Sequence, residues 1–332
     1  MSAIEFVVRG DTGVLERGTV AGVGGDTSIT VGAGQDISLN LSRNNILSYV
    51  RNGQALQITL VDGDCVEVGN LHRQTLFNHT CIGQPKAQAA ARILNGLNPD
   101  CTVMPVKGIL DPENVDNFLK GVDLVLDCAD SFAASYILSD ACFDQNIPLI
   151  SASALGLTGY VGGFCGTAPS LRAVFPDLPN RAANCASAGV LGPVVGVIGA
   201  MQAQMALAVL TGMDPSPLGQ MVQFDGHDFR TTSFRFNLAP EPPNPTFRFI
   251  ARSQIRSSDF VVELRDNTEA PTPAAPHAIR QTVDAFGTTG PKPAHQTRAV
   301  FCCKSGLRAW QAATRIQPHW DGQIVLAALG NT

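Results

Sequence analysis

The chain has 332 residues, of which 45% are apolar and only 15% charged, with a formal net charge of −5. That length allows two domains around a sizeable core, while the absence of any long Lys/Arg block argues against an electrostatic nucleic-acid binder and the sparse charge favours subunit or partner contact. Nine cysteines at irregular spacing give no disulfide framework, and the opening "MSAIEFVVRGD" carries no basic-then-apolar signal, so a cytoplasmic protein is expected.

Residues 1–58 alternate with period two between Gly and Asp punctuation, which predicts a β-rich segment; within the opening stretch only Asn44 to Arg51 carries a helical pattern. From 59 to 237 the apolar runs "ITLVDGD", "DLVLDCAD" and "IPLISASAL" are separated by helical windows such as "KAQAAARILNGLN". This rhythm predicts an α/β domain with a Rossmann-like, largely parallel sheet and helices on both faces. The apolar run from Ala188 to Gly212 is long enough to cross a bilayer. Its Pro193, Gln202 and Gln204, and its lack of flanking basic residues, favour a buried loop-to-helix segment instead, so no membrane association is expected. Residues 238–249 are Pro-rich and predict a linker. A small α/β unit follows over 250–332, with strands at "DFVVELRD" and "TRAVFCC" and a helix spaced by Leu307, Trp310, Ala313 and Ile316.

Several residues carry candidate chemistry. Asp62 and Asp64 end a buried strand, where an acid commonly holds ribose hydroxyls. Lys86 follows Pro85 in the first turn of a helix, the wrong charge for that position unless an anion such as a polyphosphate lies there; a solvated lysine is the plain alternative. Asp127 and Asp130 stand at another strand end, suited either to Mg2+ bridging phosphates or to capping the next helix. Cys185 lies in a polar, Gly-flanked loop, as an accessible nucleophile or a structural thiol.

Together "LVDGDCVEVGNLHRQ", "IGQPKAQAA", "LDCADSF", "CASAGVLGPVVGVIGAMQAQMAL" and "QFDGHDFR" resemble, in order and spacing, the ThiF/MoeB/HesA family, relatives of ubiquitin-activating enzymes. The resemblance implies that the C-terminal carboxylate of a ubiquitin-like sulfur-carrier protein attacks the α-phosphate of ATP, for thiamin- or molybdopterin-type biosynthesis, in a homodimer. It places Asp62 on the ribose, Arg73 and Lys86 on phosphates, Asp130 on Mg2+, adds Asp64, Asn70 and Gln74 to the nucleotide contacts, and matches Cys185 to a cysteine of sulfur or acyl chemistry. Adenylation asks mainly for in-line positioning and charge neutralisation. The tail resembles a short rhodanese-like domain: in "CCKSGLRA", Cys303, Gly306 and Arg308 match a persulfide loop whose N–H groups, helix start and arginine would favour a thiolate.

Three departures bear on function. Where family members hold zinc with two C-x-x-C pairs, this chain has "SLRAVFP" and "LAPEPPNP", so no structural zinc is expected. Ser131 stands where Asn commonly follows the catalytic Asp. In "ITVGAGQDISLNLS", Gly32 and Gly34 match a glycine-rich nucleotide loop, but Gln35, Asp36 and Ile37 do not. One reading is a divergent loop using Gly32 and Gly34; the other is a segment resembling the prefix of Bap-type adhesins. On the second reading the sheet lacks a middle strand, and "SITVGA" is one candidate to replace it.

Overall fold

In the computed structural model, residues 57–98, 101–178, 189–243, 247–294 and 297–330 are described in full, and five strands before them by their backbone. Those five are β1 (Glu5–Arg9), β2 (Arg17–Ala21), β3 (Ser28–Gly32), β4 (Val50–Arg51) and β5 (Gln54–Ala55). They are followed by β6 (Gln57–Val61), α1 (Lys86–Leu97), β7 (Thr102–Val106), α2 (Val115–Leu119), β8 (Leu124–Asp127) and α3 (Phe132–Asp144). Next come β9 (Pro148–Leu155), β10 (Thr158–Cys165), α4 (Leu171–Val174), α5 (Gly192–Leu210), β11 (Gln220–Asp225) and β12 (Arg230–Arg235).

One eight-stranded sheet has the order β12-β11-β10-β9-β8-β1-β6-β7. Strands β6, β7, β8 and β9 run the same way, and β10 to β12 continue the sheet as an antiparallel meander. All four residues of β8, "LVLD", are buried, as expected of a strand covered on both faces. Helices α1 and α5 cover one face, with Ala87, Ala89, Ala90, Ile198 and Ala206 against Leu60, Leu126 and Ile150. Helix α3 covers the other with Ala133, Tyr136 and Ile137. By length and composition α5 is able to cross a membrane, but half of its most apolar window is buried within the fold.

The middle of the sheet differs from the sequence expectation. A strand from the opening segment does occupy the place between β6 and β8, but it is β1, and it runs antiparallel to both. Val7 pairs with Thr59 on one side and Val125 on the other. The stretch "SITVG" instead forms β3, which pairs with β2 in a separate two-stranded ribbon where Gly32 faces Arg17. Val50–Arg51 is a short strand paired with β5, not the end of a helix. The physical reason is local: both slots accept alternating β-rich sequence, and period two does not say which neighbour it joins.

The second sheet, β13 (Arg248–Phe249), β14 (Phe260–Glu263), β15 (Ile279–Arg280), β16 (Ala299–Cys303) and β17 (Ile324–Ala328), is parallel throughout in the order β13-β17-β16-β14-β15. Helix α6 (Leu307–Ile316) follows β16 and buries Trp310, Ala313 and Ile316. Leu307, at the start of that predicted face, is only partly buried. The two sheets share one core. Trp310 lies 5.4 Å from the Tyr136 ring of α3 and 5.1 Å, edge to face, from Phe247. Arg172 of α4 bolts the join: Nη2 donates to Asp140 Oδ2 at 2.9 Å and to the Phe247 carbonyl at 3.1 Å, with the guanidinium 4.8 Å over Tyr136.

Candidate active site

Strand β6 delivers Asp62 just past its C-terminal end, with 4% exposure. Its Oδ1 accepts the Asp64 N–H at 2.8 Å, while the buried Oδ2 has no partner. Burial pushes this carboxyl up to about 6; the Asp64 N–H and Lys86 oppose that shift, and the Asp64 and Asp130 carboxylates add to it. An orphaned buried carboxylate oxygen is costly unless something donates to it, and a sugar hydroxyl is a suitable donor.

The chain leaves the sheet after Asp62 and returns at Lys86. Backbone bonds clamp this excursion: Val66 N–H to the Gln84 carbonyl at 2.8 Å, Gly83 N–H to Val66 at 2.8 Å, and Lys86 N–H to Asp64 at 2.9 Å. Pro85 precedes the first helical residue, where its missing N–H costs nothing. Lys86 is therefore delivered into the interior, 1% exposed, with Nζ 3.3 Å from Asp64 Oδ2. The solvated-lysine reading does not hold. Lys86 is a buried cation paired with Asp64 and acting electrostatically on Asp62 and Asp130, so the group as a whole is acidic and would take a polyphosphate only together with a cation.

Asp127 and Asp130 separate in role. Asp127 is fully buried at the end of β8, with Ser151 Oγ donating to Oδ2 at 2.7 Å and the Ala129 N–H to Oδ1 at 3.1 Å. Burial raises its pKa, against the Ser151 hydroxyl and the Ala129 N–H, and both its oxygens accept hydrogen bonds within the fold. The N-cap position of α3 belongs to Ser131, whose side chain makes no capping bond, so Asp130 is not the cap. Burial raises the Asp130 pKa too, against Lys86, with Asp64 adding. Asp62, Asp64, Lys86 and Asp130 thus form one electrostatic group.

Other expected contacts are placed differently. The Asn70 carboxamide Oδ1 accepts the Glu67 N–H at 2.9 Å and holds the turn. Arg73 is half-exposed, its Nη1 on the Gly69 carbonyl and its buried Nε without a partner; Gln74 follows it, its N–H on the Asn70 carbonyl. A Cβ at Gly192 would lie 2.2 Å from the His72 carbonyl, so α5 starts directly against this segment. Gly34 and Cys185 lie outside the described residues, and Gly32 belongs to the separate ribbon.

Sequence reasoning missed Gln202. From α5 its Nε2 donates to the Asp127 and Ile150 carbonyls at 2.8 and 2.9 Å, and its Oε1 accepts from Cys128 Sγ at 3.2 Å. It fixes the strand end that carries Asp130. Two amides, Gln202 and Gln204, in an otherwise apolar helix were the available signal, and of these Gln202 is the buried one.

At the second sheet, Cys303 is 1% exposed, and its Sγ accepts N–H bonds from Gly306 at 3.1 Å and Ala309 at 3.3 Å. Gly306 has φ +91°, and a Cβ there would meet Phe249 at 2.9 Å and Ala133 at 3.1 Å, so only glycine closes this loop. Arg308 is turned to Glu269, in a bidentate pair at 2.7 and 2.8 Å. The expected thiolate is not what this arrangement favours: burial raises the Cys303 pKa, against the Ala309 N–H, Arg308 and the Gly306 N–H. Cys302 is buried beside it. Among the described residues no cluster of three or more His, Cys, Asp or Glu forms a metal site.

A model of the ThiF family matches residues 46–246, and the chain belongs to that family. The match begins after Gly32 and Gly34 and stops before the second sheet. Among curated relatives, the "Adenylyltransferase and sulfurtransferase MOCS3" of Drosophila sechellia is 43% identical over 170 residues, covering 50% of this chain and 38% of the relative. The "SAMP-activating enzyme E1" of Haloferax volcanii is 35% identical over 185 residues, 54% of this chain and 68% of the relative. The chain thus spans about two fifths of the length of the MOCS3 relatives it matches. A crystal structure of E. coli MccB aligns with a TM-score of 0.49 at 20% identity, over 56% of this chain and 58% of that one.

Proposed function

We propose that the chain adenylates the C-terminal carboxylate of a ubiquitin-like sulfur carrier with ATP and then passes sulfur to it. The carrying observation is buried Lys86 beside buried Asp62, which keeps an unpartnered oxygen, with the exposed Asp64 and Asp130 around them at the C-terminal ends of β6 and β8. In this reading Asp62 accepts the ribose hydroxyls, Lys86 and Arg73 neutralise phosphate charge, and Asp130 would hold Mg2+, which supplies further charge neutralisation when bound. The carrier carboxylate forms a bond to the α-phosphorus as the bond to pyrophosphate breaks. A persulfide on Cys303, its outer sulfur supplied by an external sulfane-sulfur donor such as a persulfide or thiosulfate that leaves as thiol or sulfite, then attacks the acyl carbon and AMP leaves with the bonding pair. A thiol, from Cys185 or a small dithiol reductant, cleaves the resulting acyl disulfide to release thiocarboxylate, and the mixed disulfide left on Cys303 is resolved by that dithiol.

A second reading rests on β1. Where the family resemblance leads to expect a strand running into a glycine loop beside Asp62, an antiparallel strand stands, and its C-terminal residue Arg9 pairs with Gln57, at the opposite end of β6 from Asp62. The chain would then bind the carrier without turning ATP over. Titration calorimetry with ATP and Mg2+ decides between them: saturable binding weakened by Lys86→Ala and Asp130→Ala supports adenylation, to be followed by carrier-dependent pyrophosphate release. No binding at millimolar ATP in the folded chain leaves the second reading.

A further inference from the structure

The Cys303 loop and the start of α3 meet at a seam that joins the two candidate sites. The Ser305 carbonyl accepts the Ala133 N–H at 3.2 Å and the Ser131 hydroxyl at 3.4 Å. Neither donor is used by its own helix: Ala133 lies in the first turn, where N–H groups have no intrahelical acceptor, and the Ser131 side chain makes no cap bond. The Ser305 carbonyl and the Gly306 N–H belong to the same planar peptide unit, which is not among the cis bonds, so the two groups point in opposite directions. On the far side the Gly306 N–H donates to Cys303 Sγ at 3.1 Å. A continuous line of hydrogen bonds therefore runs from the N-terminus of α3, through one peptide plane, to the sulfur.

We propose that α3 of the adenylating unit, through the Ala133 N–H and the Ser131 hydroxyl, positions and polarises the Ser305–Gly306 peptide and so sets how readily Cys303 holds negative charge. The positive end of the helix dipole lies at this seam, and a donor whose carbonyl is itself hydrogen-bonded donates more strongly. A thiolate or persulfide anion gains from that; a neutral thiol gains little. Ser131 and Ala133 are thus positioning residues, acting on the sulfur only through Ser305 and Gly306. Two residues upstream of Ser131's helix lies Asp130's loop, so the same turn serves both sites. The significance for catalysis rests on the sulfur-transfer reading; the effect on the thiol does not.

Other charges face Cys303 and act in parallel. Arg308 approaches from α6 and Arg265 from just beyond β14, and the Cys302 thiol, itself acted on by Glu263, sits beside it on β16. Arg265 and Glu263 neutralise each other at 2.9 Å, and Arg308 is paired with Glu269. None of these is altered by changing Ser131 or Ala133, so the α3 contribution is separable.

The test is the pH profile of Cys303 alkylation by iodoacetamide on the full chain, with Cys303 resolved from Cys302 by fragment masses. Because the sealed arrangement is the populated one, the midpoint of the profile is its own. Ala133→Pro deletes the N–H at a position in the first helical turn, where proline is tolerated; it should raise the midpoint by about half to one pH unit, cutting the thiolate at neutral pH about three- to tenfold. Ser131→Ala should shift it in the same direction by less, and decides the matter alone if Ala133→Pro does not fold. Alkylation that becomes faster at every pH with no movement of the midpoint would mean that the seam only shields the sulfur, and overturns the proposal. So does an unchanged profile. The measurement needs neither ATP nor a carrier, so a chain that fails in sulfur transfer still answers it.

Discussion

Lys86 Nζ lies 3.3 Å from Asp64 Oδ2, and the two side chains differ sharply in exposure, 2% against 55%. The cation is confined while its partner is wet, so the pair is not symmetric. Asp64→Asn removes a mostly solvated charge and should change stability by less than about 1 kcal/mol. Lys86→Ala leaves buried Asp62 without its cation and should cost about 2–4 kcal/mol. Urea unfolding of both variants at neutral pH checks the contrast; equal effects would contradict it.

Asp62 gives the fold a pH dependence of known sign. In the folded chain its proton is held to about 6, against 3.8 for an unperturbed aspartate. Between these values the folded state binds more protons than the unfolded one, so this residue's contribution falls as pH rises through that window. The loss is up to about 3 kcal/mol. Asp62→Asn should gain on the wild type progressively from acid toward neutral pH, followed by urea midpoints. Parallel pH curves for the two chains would sink the assignment.

The central place of β1 is tested by proline. Val7 pairs with both neighbouring strands, so Val7→Pro should lose about 2–4 kcal/mol through missing and unsatisfied ladder bonds. Thr30, in the isolated ribbon of β2 and β3, should tolerate the same change within about 1 kcal/mol, since a lone two-stranded ribbon contributes little. Thermal unfolding of the two variants distinguishes a core strand from a peripheral one.

The buried pair Glu263–Arg265 is fully enclosed, bonded at 2.9 Å through both carboxylate oxygens, with the Ala274 N–H on Oε2 at 3.0 Å. Burial works to raise the Glu263 pKa, but the Arg265 hydrogen bonds prevail and it lies below the ordinary value. Glu263→Gln strands a buried guanidinium and should cost about 3–5 kcal/mol. Differential scanning calorimetry should show it as a lower transition temperature.

Because Trp310 packs on Tyr136 and Phe247 within one core, Trp310→Ala should cost about 3–5 kcal/mol and loosen both sheets together. Probes placed in each sheet should report coincident unfolding. Separate transitions would show that the two sheets are energetically independent.

Much of the fold was legible in residues 59–237, because "ITLVDGD", "DLVLDCAD" and their helical neighbours have clear periods and each strand's own sequence says whether it is buried. The site was legible in outline for the same reason: Asp62, Asp64 and Asp130 stand at strand ends, and Lys86 opens a helix. Legibility failed where distant residues compete for one place. "EFVVR" and "SITVG" are equally good strands, and Asp127 and Asp130 are equally plausible ligands by spacing; Ser151 and Gln202, far along the chain, assign Asp127 to the interior.

By itself the sequence determined the family, the α/β class and the residue types gathered at the candidate site, since periodicity and motif spacing are local properties of the chain. Only the tertiary structure decided that β1 enters the sheet antiparallel, that Lys86 is buried rather than solvated, and that the Ser305 carbonyl rests on Ala133. Each of these depends on which long-range partner satisfies a backbone or charged group once water is excluded, and no local pattern carries that choice.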